Sequence, residues 1–92
     1  MINTNKIADY AVENFDKTQQ DLILIEEMSE LTKELLKKRR SKDNYSNIVE
    51  EMAHVYISLE VVKRLFGIGD DEINYEVILK ERKYGVEGNN EV

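Results

Sequence analysis

The stretch Ile25-Glu26-Glu27-Met28-Ser29-Glu30-Leu31 decides the fold, because its pattern is repeated as Val49-Glu50-Glu51-Met52-Ala53-His54-Val55. The offset between the two copies is constant, so apolar positions match apolar ones and acidic positions match acidic ones. The exception is His54, which corresponds to Glu30. Apolar residues recur at helical spacing in both copies. The repeat therefore predicts two helices with the same arrangement of faces.

Apolar residues at three- and four-residue spacings extend this pattern to four helices, expected over about 4–15, 19–40, 47–66 and 70–84. Thr4 is a candidate cap for the first helix, and Thr18 with Asp21 forms a weak capping box for the second. Asp43 or Ser46 is expected to cap the third helix, and Gly67 to end it. No alternating pattern bounded by turns is present. We therefore predict an all-α fold with a central antiparallel helix hairpin.

The apolar stripes of these helices are expected to form the core. On the second helix the stripe is Leu24, Met28, Leu31 and Leu35. On the third helix it is Ile48, Met52, Val55, Leu59, Val62 and Phe66. On the fourth helix Ile73, Val77 and either Leu79 or Lys80 are expected to face inward. Glu27 borders the stripe of its helix, so that it is not on the far, solvated face.

The composition indicates one small domain over residues 1–92, with a core over about 4–85 and a flexible tail over 86–92. The net charge of −6 argues against binding to duplex nucleic acid, which needs a basic surface to displace counterions. The chain has no cysteine, which excludes disulfides and thiolate metal sites.

A membrane location is not expected, because the longest apolar run, at 22–25, is far too short to cross a bilayer. The polar N-terminus has no apolar signal segment, so a cytoplasmic location is predicted. A chain of this size buries only about 60–65% of its unfolded surface. We therefore expect it to be stabilised by self-association as a homodimer or homotetramer.

Folding the second and third helices into a hairpin about residues 40–43 brings the two acidic segments level with each other. Glu30 then lies near Glu51, and Glu27 near His54. Two carboxylates about 5 Å apart repel by roughly 3 kcal/mol at an effective dielectric constant of 20. A half-buried cluster is therefore stable only with a cation or a bound proton. One hypothesis is a site where Mg²⁺ or Mn²⁺ holds a phosphorylated ligand.

The alternative is that these acids are simply solvated, which is the usual state of a glutamate beside an apolar stripe. One ExxE segment alone would favour that alternative. Two copies at matching distances from one turn make the metal site and the solvated surface about equally good interpretations.

The paired segments resemble the MazG-like, all-α nucleoside triphosphate pyrophosphohydrolases, particularly the short phage and bacterial single-domain forms. That family carries ExxE on one helix and ExxD on the next. Here the first motif is Glu27-Met28-Ser29-Glu30, and the second is Glu51-Met52-Ala53-His54. Lys80-Glu81-Arg82-Lys83 resembles the closing basic segment, with Lys where Arg is usual. The resemblance covers about residues 18–84.

The resemblance implies a helical protomer that forms a dimer or a dimer of dimers. It also implies Mg²⁺-dependent cleavage between the α and β phosphates of a nucleoside triphosphate, which releases a nucleoside monophosphate and pyrophosphate. The implied metal positions are Glu27, Glu30, Glu51 and His54. Glu26 or Glu50 would orient the attacking water. Gln20, Lys80 and Lys83 would contact the substrate, although Lys83 also fits an ordinary solvated helix end.

His54 departs from the family pattern, which has Asp at this position. The change removes a negative charge and replaces a hard oxygen donor with an imidazole, which prefers softer ions to Mg²⁺. The site could keep a weakened Mg²⁺ affinity or favour Mn²⁺ or a softer ion. It could also be an impaired family member that binds a nucleotide or a protein, or a plain helical dimer.

Overall fold

The computed structural model describes residues 2–86, which form four α-helices and no strand. The helices are α1 (Asn5–Asn14), α2 (Gln20–Arg39), α3 (Tyr45–Leu65) and α4 (Asp70–Lys83), with a 3-10 turn, Lys17–Gln19, between α1 and α2. The prediction of an all-α chain is confirmed. The predicted tail lies outside the described residues, apart from Val86.

Three helices end in the same hydrogen-bonded turn, in which a residue with positive φ lies two residues after the last helical residue. After α2 this residue is Ser41 (φ 67°), and the Ser41 and Lys42 N–H groups donate to the carbonyls of Lys38 and Lys37. Gly67 (φ 70°) and Gly85 (φ 72°) take the same place after α3 and α4. The prediction that Gly67 ends the third helix is confirmed.

The predicted side-chain caps are wrong at three places. Thr4 occupies the N-cap position of α1, but its side chain makes no capping hydrogen bond. Thr18 does not cap α2, because the Asp16 carboxylate instead accepts hydrogen bonds from the Thr18 N–H (2.9 Å) and hydroxyl (2.7 Å) and starts the 3-10 turn. These bonds hold the pKa of Asp16 below its usual value. Neither Asp43 nor Ser46 caps α3, which begins after Asn44.

Asn44 fixes the register of the α2–α3 hairpin instead of capping its own helix. Its amide nitrogen donates to the Glu34 backbone carbonyl at 2.9 Å and to Glu34 Oε1 at 2.8 Å. Both side chains are buried, and Lys37 lies 3.3 Å from the other Glu34 oxygen. The hydrogen bond from Asn44 is the main reason that the pKa of Glu34 lies below its usual value. This contact joins the end of α2 to the start of α3.

The core lies between α1 and α3 and is made of small residues. Ala8, Ala11 and Val61 are buried together, with Val12 and Leu65 packed against them. Alanine side chains let the two backbones approach closely, so α1 docks with little apolar area. Arg64 of α3 adds polar contacts to α1 by donating to Asp9 and to Asn5 Oδ1. The nearby Asp9 and Glu60 carboxylates raise the pKa of the Arg64 guanidinium, with Glu60 the larger cause.

The stripes predicted to form the core are largely uncovered within one protomer, so this prediction is wrong at the level of the single chain. The exposed members include Met28, Leu35, Met52, Leu59 and Phe66. Leu31 and Val55 are half-buried, and with Met52, Tyr56 and Leu59 they line an apolar groove of about 340 Å³ along the hairpin. Among the predicted α3 stripe residues, Val62 is buried.

The fourth helix stands away from the hairpin. It has no buried residue, and Ile73, Val77 and Leu79 are exposed, so the prediction that they face inward is also wrong within the protomer. Its start is held by Lys63, which contacts both Asp70 and Glu60, and by Glu72, whose carboxylate accepts from the Gly69 N–H at 3.0 Å. The radius of gyration of 15.9 Å exceeds the roughly 12 Å expected for a compact chain of this length. No helix among the described residues is long and apolar enough to cross a membrane.

We predict that Asn44→Ala lowers the melting temperature by roughly 4–8 °C, because it leaves Glu34 buried without its amide donor. The lowered pKa of Glu34 means that its contact stabilises the fold above the pKa of the unfolded chain. That contribution is lost as the pH falls through the folded value. Thermal unfolding followed by circular dichroism between neutral and acid pH would measure both effects.

Asn74→Ala on the exposed side of α4 is the matched control and should change the melting temperature by much less. The role given to the Asn44–Glu34 contact would be contradicted if both variants lowered the melting temperature equally. It would also be contradicted if the difference in melting temperature between Asn44→Ala and the native chain did not shrink at acid pH.

Candidate metal site

A carboxylate from α2 and a carboxylate and an imidazole from α3 meet beside the hairpin. His54 Nδ1 lies 3.4 Å from Glu27 Oε1 and 3.4 Å from Glu51 Oε1. One oxygen or nitrogen of each of these three side chains lies within 4.8 Å of the others. All three residues are half-buried. The predicted proximity of Glu27 and His54 is therefore confirmed, whereas Glu30, which was predicted to lie near Glu51, is not part of this cluster.

The Asn44–Glu34 contact explains why these groups meet. Glu27 lies seven residues before Glu34 on α2, and Glu51 lies seven residues after Asn44 on α3. Seven residues are about two helical turns, so both pairs emerge from the same faces of the two helices. The register that pairs Asn44 with Glu34 therefore also brings Glu51 opposite Glu27. His54, three residues beyond Glu51, lies on the same side of α3.

The cluster carries unfavourable charge. Two carboxylate oxygens at most 4.8 Å apart repel by at least about 3 kcal/mol at an effective dielectric constant of 20. Glu51 has only about a fifth of its side chain exposed, so water screens this repulsion poorly. Either a protonated imidazole between the carboxylates or a bound cation would relieve it.

One oxygen of Glu51, Oε1, is available to such a cation. This oxygen is buried and has no hydrogen-bond partner among the described residues, and its 3.4 Å separation from His54 Nδ1 is too long for a good hydrogen bond. A buried acceptor without a partner costs roughly 1–3 kcal/mol. Two carboxylate oxygens and one imidazole nitrogen form a donor set that divalent metals bind. The residues present therefore fit a metal ion.

The other acidic residues predicted for the site lie outside this group of three. Glu30 is exposed and pairs with Lys33 at 3.4 Å, so its carboxylate points along α2. Glu26 is exposed. Glu50 is also exposed, but its Oε2 lies 3.9 Å from His54 Nε2, on the other side of the imidazole from Glu27 and Glu51.

An apolar cavity of about 170 Å³ opens next to the cluster, between α1, α2 and α3. Glu27 and His54 form part of its wall. The apolar lining comes from Ile7, Ala11, Phe15, Ile23, Ile57 and Val61. The sequence repeat gave no signal for this cavity, since its lining comes from three helices whose packing only the structure shows.

Gln20, which was predicted to contact a substrate, lines the same cavity together with Ser58. Its side chain is buried, and its amide nitrogen donates to the Asp16 carbonyl at 3.0 Å. The amide oxygen is thus left to accept a hydrogen bond from a ligand. Lys80 and Lys83 are not among the residues that line the cavity. They lie on α4, where Lys80 Nζ is 5.6 Å from the centre of the Tyr84 ring.

Comparisons of this chain with protein-family models, curated proteins and solved structures gave no significant match. The resemblance in the paired motifs therefore rests on the residues themselves.

We predict that Glu51→Gln abolishes stabilisation of the protein by divalent metal, because it removes the charge of the most buried donor. Without metal the variant should be as stable as the native chain or more stable, since the repulsion with Glu27 is gone. Thermal unfolding in EDTA and in millimolar Mg²⁺ or Mn²⁺ separates these two effects.

Glu76→Gln on α4 removes one exposed carboxylate far along the chain from the cluster and serves as the control. If both variants keep the full metal-dependent rise in melting temperature, Glu51 is not a ligand.

Proposed function

We propose that this protein is a metal-dependent nucleoside triphosphate pyrophosphohydrolase of the MazG-like type. The observation that carries the proposal is the position of the Glu27, Glu51 and His54 cluster at the wall of an apolar cavity. The cluster offers a place for a cation that binds phosphates, and the cavity offers a place for an aromatic base. The resemblance of the two motifs supplies the reaction.

A divalent cation, Mg²⁺ or alternatively Mn²⁺, would neutralise phosphate charge and lower the pKa of a bound water. Glu27 and Glu51 would hold the cation, with His54 as the nitrogen donor. We propose that Glu30 becomes an additional ligand of the cation when the phosphates bind. It would give up its contact with Lys33 to do so. Both Glu30 and Lys33 are exposed, so that ion pair contributes little stability and is readily broken.

The attacking water needs a carboxylate that accepts its proton or its hydrogen bond. Glu26 and Glu50 are the proposed alternatives, because each is exposed and directly precedes a metal-binding glutamate. Attack on the α phosphorus would break the bond to the bridging oxygen of the β phosphate. The products are a nucleoside monophosphate and pyrophosphate.

The cavity has the size and lining for one nucleobase. An apolar cavity of about 150 Å³ is enough to hold a benzene molecule, and this one is slightly larger and open at one side. The Gln20 amide oxygen and the Ser58 hydroxyl are polar groups in its wall that could bind base edges or a sugar hydroxyl. Their small number explains why the sequence does not indicate which base is bound.

We further propose that the active form is a homodimer or homotetramer in which a second copy covers the apolar groove of the hairpin. Within residues 2–86 the buried apolar residues are few, while Met28, Leu35, Met52 and Leu59 are exposed along one side of α2 and α3. Exposed apolar faces of this kind mark interaction surfaces. A second copy is the natural occupant because the same stripes have the periodicity of a helix-bundle core. Lys80 and Lys83 on α4 would reach phosphates only through such an assembly.

We expect the purified protein to release pyrophosphate from at least one nucleoside triphosphate in the presence of Mg²⁺ or Mn²⁺. Glu27→Gln should lower the rate at least a hundredfold, while Glu76→Gln should leave it unchanged. Chromatography that separates nucleoside monophosphate from diphosphate identifies the bond that is cleaved. Release of inorganic phosphate and a diphosphate would contradict the proposed reaction. If the protein binds the nucleotide but does not cleave it with either metal, the alternative is favoured, in which an impaired family member acts as a nucleotide-binding module.

We expect Leu59→Glu to dissociate the oligomer, because it places a charge in the apolar groove. Sedimentation-velocity ultracentrifugation of the native chain and the variant would measure the change in mass. Gln19→Glu adds the same charge at the exposed residue before α2 and should leave the assembly intact. A native chain that sediments as a monomer at all concentrations would contradict the proposed assembly.

A further inference from the structure

We propose that the cluster selects a first-row transition ion, of the Mn²⁺ to Zn²⁺ class, over Mg²⁺, and that Glu50 is the residue that positions His54 for this. The inference rests on the metal part of the proposed function. It goes further by assigning the ion class and by giving Glu50 the role of holding His54, which leaves Glu26 as the carboxylate that orients the attacking water.

The imidazole presents one particular nitrogen to the carboxylates. Nδ1 is the atom 3.4 Å from both Glu27 Oε1 and Glu51 Oε1, whereas Nε2 faces away from them. A neutral imidazole has one nitrogen with a lone pair and one N–H. For His54 to bind an ion together with the two carboxylates, Nδ1 must carry the lone pair and Nε2 must carry the proton.

Glu50 is placed to enforce that choice. It lies four residues before His54 on α3, one helical turn away, and its Oε2 is 3.9 Å from His54 Nε2. A small side-chain adjustment would let it accept a hydrogen bond from the Nε2 proton. Histidine ligands of metals commonly donate their second nitrogen to a carboxylate, which fixes the tautomer and strengthens the donor. The exposed position of Glu50 leaves it free to rotate into this contact.

The spacing of the donors points to the same class of ion. Tetrahedral zinc with bonds of about 2.0–2.1 Å separates adjacent donors by about 3.3 Å. Octahedral Mg²⁺, with bonds of about 2.0–2.1 Å, requires about 2.9 Å between neighbouring donors and prefers oxygen. The 3.4 Å separations from His54 Nδ1 to Glu27 Oε1 and Glu51 Oε1 lie nearer the tetrahedral value. The two glutamate oxygens lie within 4.8 Å of each other and would adjust to either ion, so the type of donor atom carries the selectivity. A nitrogen donor in place of an oxygen reinforces the difference.

His54 is the only histidine in the sequence, so its ring can be followed without assignment. The untagged, ¹⁵N-labelled protein is titrated with ZnCl₂ at neutral pH, and long-range ¹H–¹⁵N correlation spectra report each ring nitrogen. We expect Nδ1 to move to the metal-bound position while Nε2 stays protonated. Glu50→Ala, which removes the acceptor for the Nε2 proton, should weaken Zn²⁺ binding about tenfold in calorimetry, and Glu76→Ala should not change it.

His54→Asp provides the selectivity test, because Asp supplies a hard oxygen at the same position. Calorimetry with MgCl₂, MnCl₂ and ZnCl₂ should show that this variant lowers the ratio of Zn²⁺ to Mg²⁺ affinity at least tenfold. Its melting temperature in EDTA checks that it is folded. The inference is overturned if the native chain binds Mg²⁺ but neither ring nitrogen of His54 changes when Zn²⁺ is added. The proposed function is left standing by that result. A chain that binds none of the three ions overturns both.

Discussion

The contact between Asn44 and Glu34 is the constraint on which the rest of the structure depends. It joins the two long helices next to their turn and makes one register better than its neighbours, because a shift would leave a buried amide and a buried carboxylate without partners. Two turns further along, the same register places Glu51 opposite Glu27. The geometry of the Glu27, Glu51 and His54 cluster is thus a consequence of a hydrogen bond that lies about two helical turns away from it.

The hairpin also explains why repelling charges are tolerated in so small a protein. α1 covers one side of α3 through alanines, and the cavity beside the cluster opens where the larger side chains of α1 and α2 do not meet. The cluster therefore borders both apolar lining and solvent. This position is costly for two carboxylates alone and favourable for carboxylates that share a cation. The repulsion between the Glu27 and Glu51 carboxylates, which the fold imposes and a cation would relieve, links the fold to the proposed chemistry.

Much of the secondary structure could be predicted from the sequence, since helical periodicity and glycine at positive φ are local signals. The proximity of Glu27 and His54 was also predictable, because it follows from the length of the turn. The burial of the stripes could not be predicted in the same way. Leu59 and Val62 have equivalent apolar character in the sequence, yet Val62 is buried and Leu59 is exposed. Periodicity identifies an apolar face but does not identify the element that covers it. The role of Asn44 was missed because a polar residue before a helix usually caps that helix, whereas this one bonds to the previous helix.

Ala11 belongs both to the packed contact between α1 and α3 and to the wall of the cavity. A larger side chain at this position would push α1 away from α3 and would also fill part of the cavity. The distance between the two helices and the volume beside them are therefore both set by this one methyl group, so neither can be changed here without changing the other.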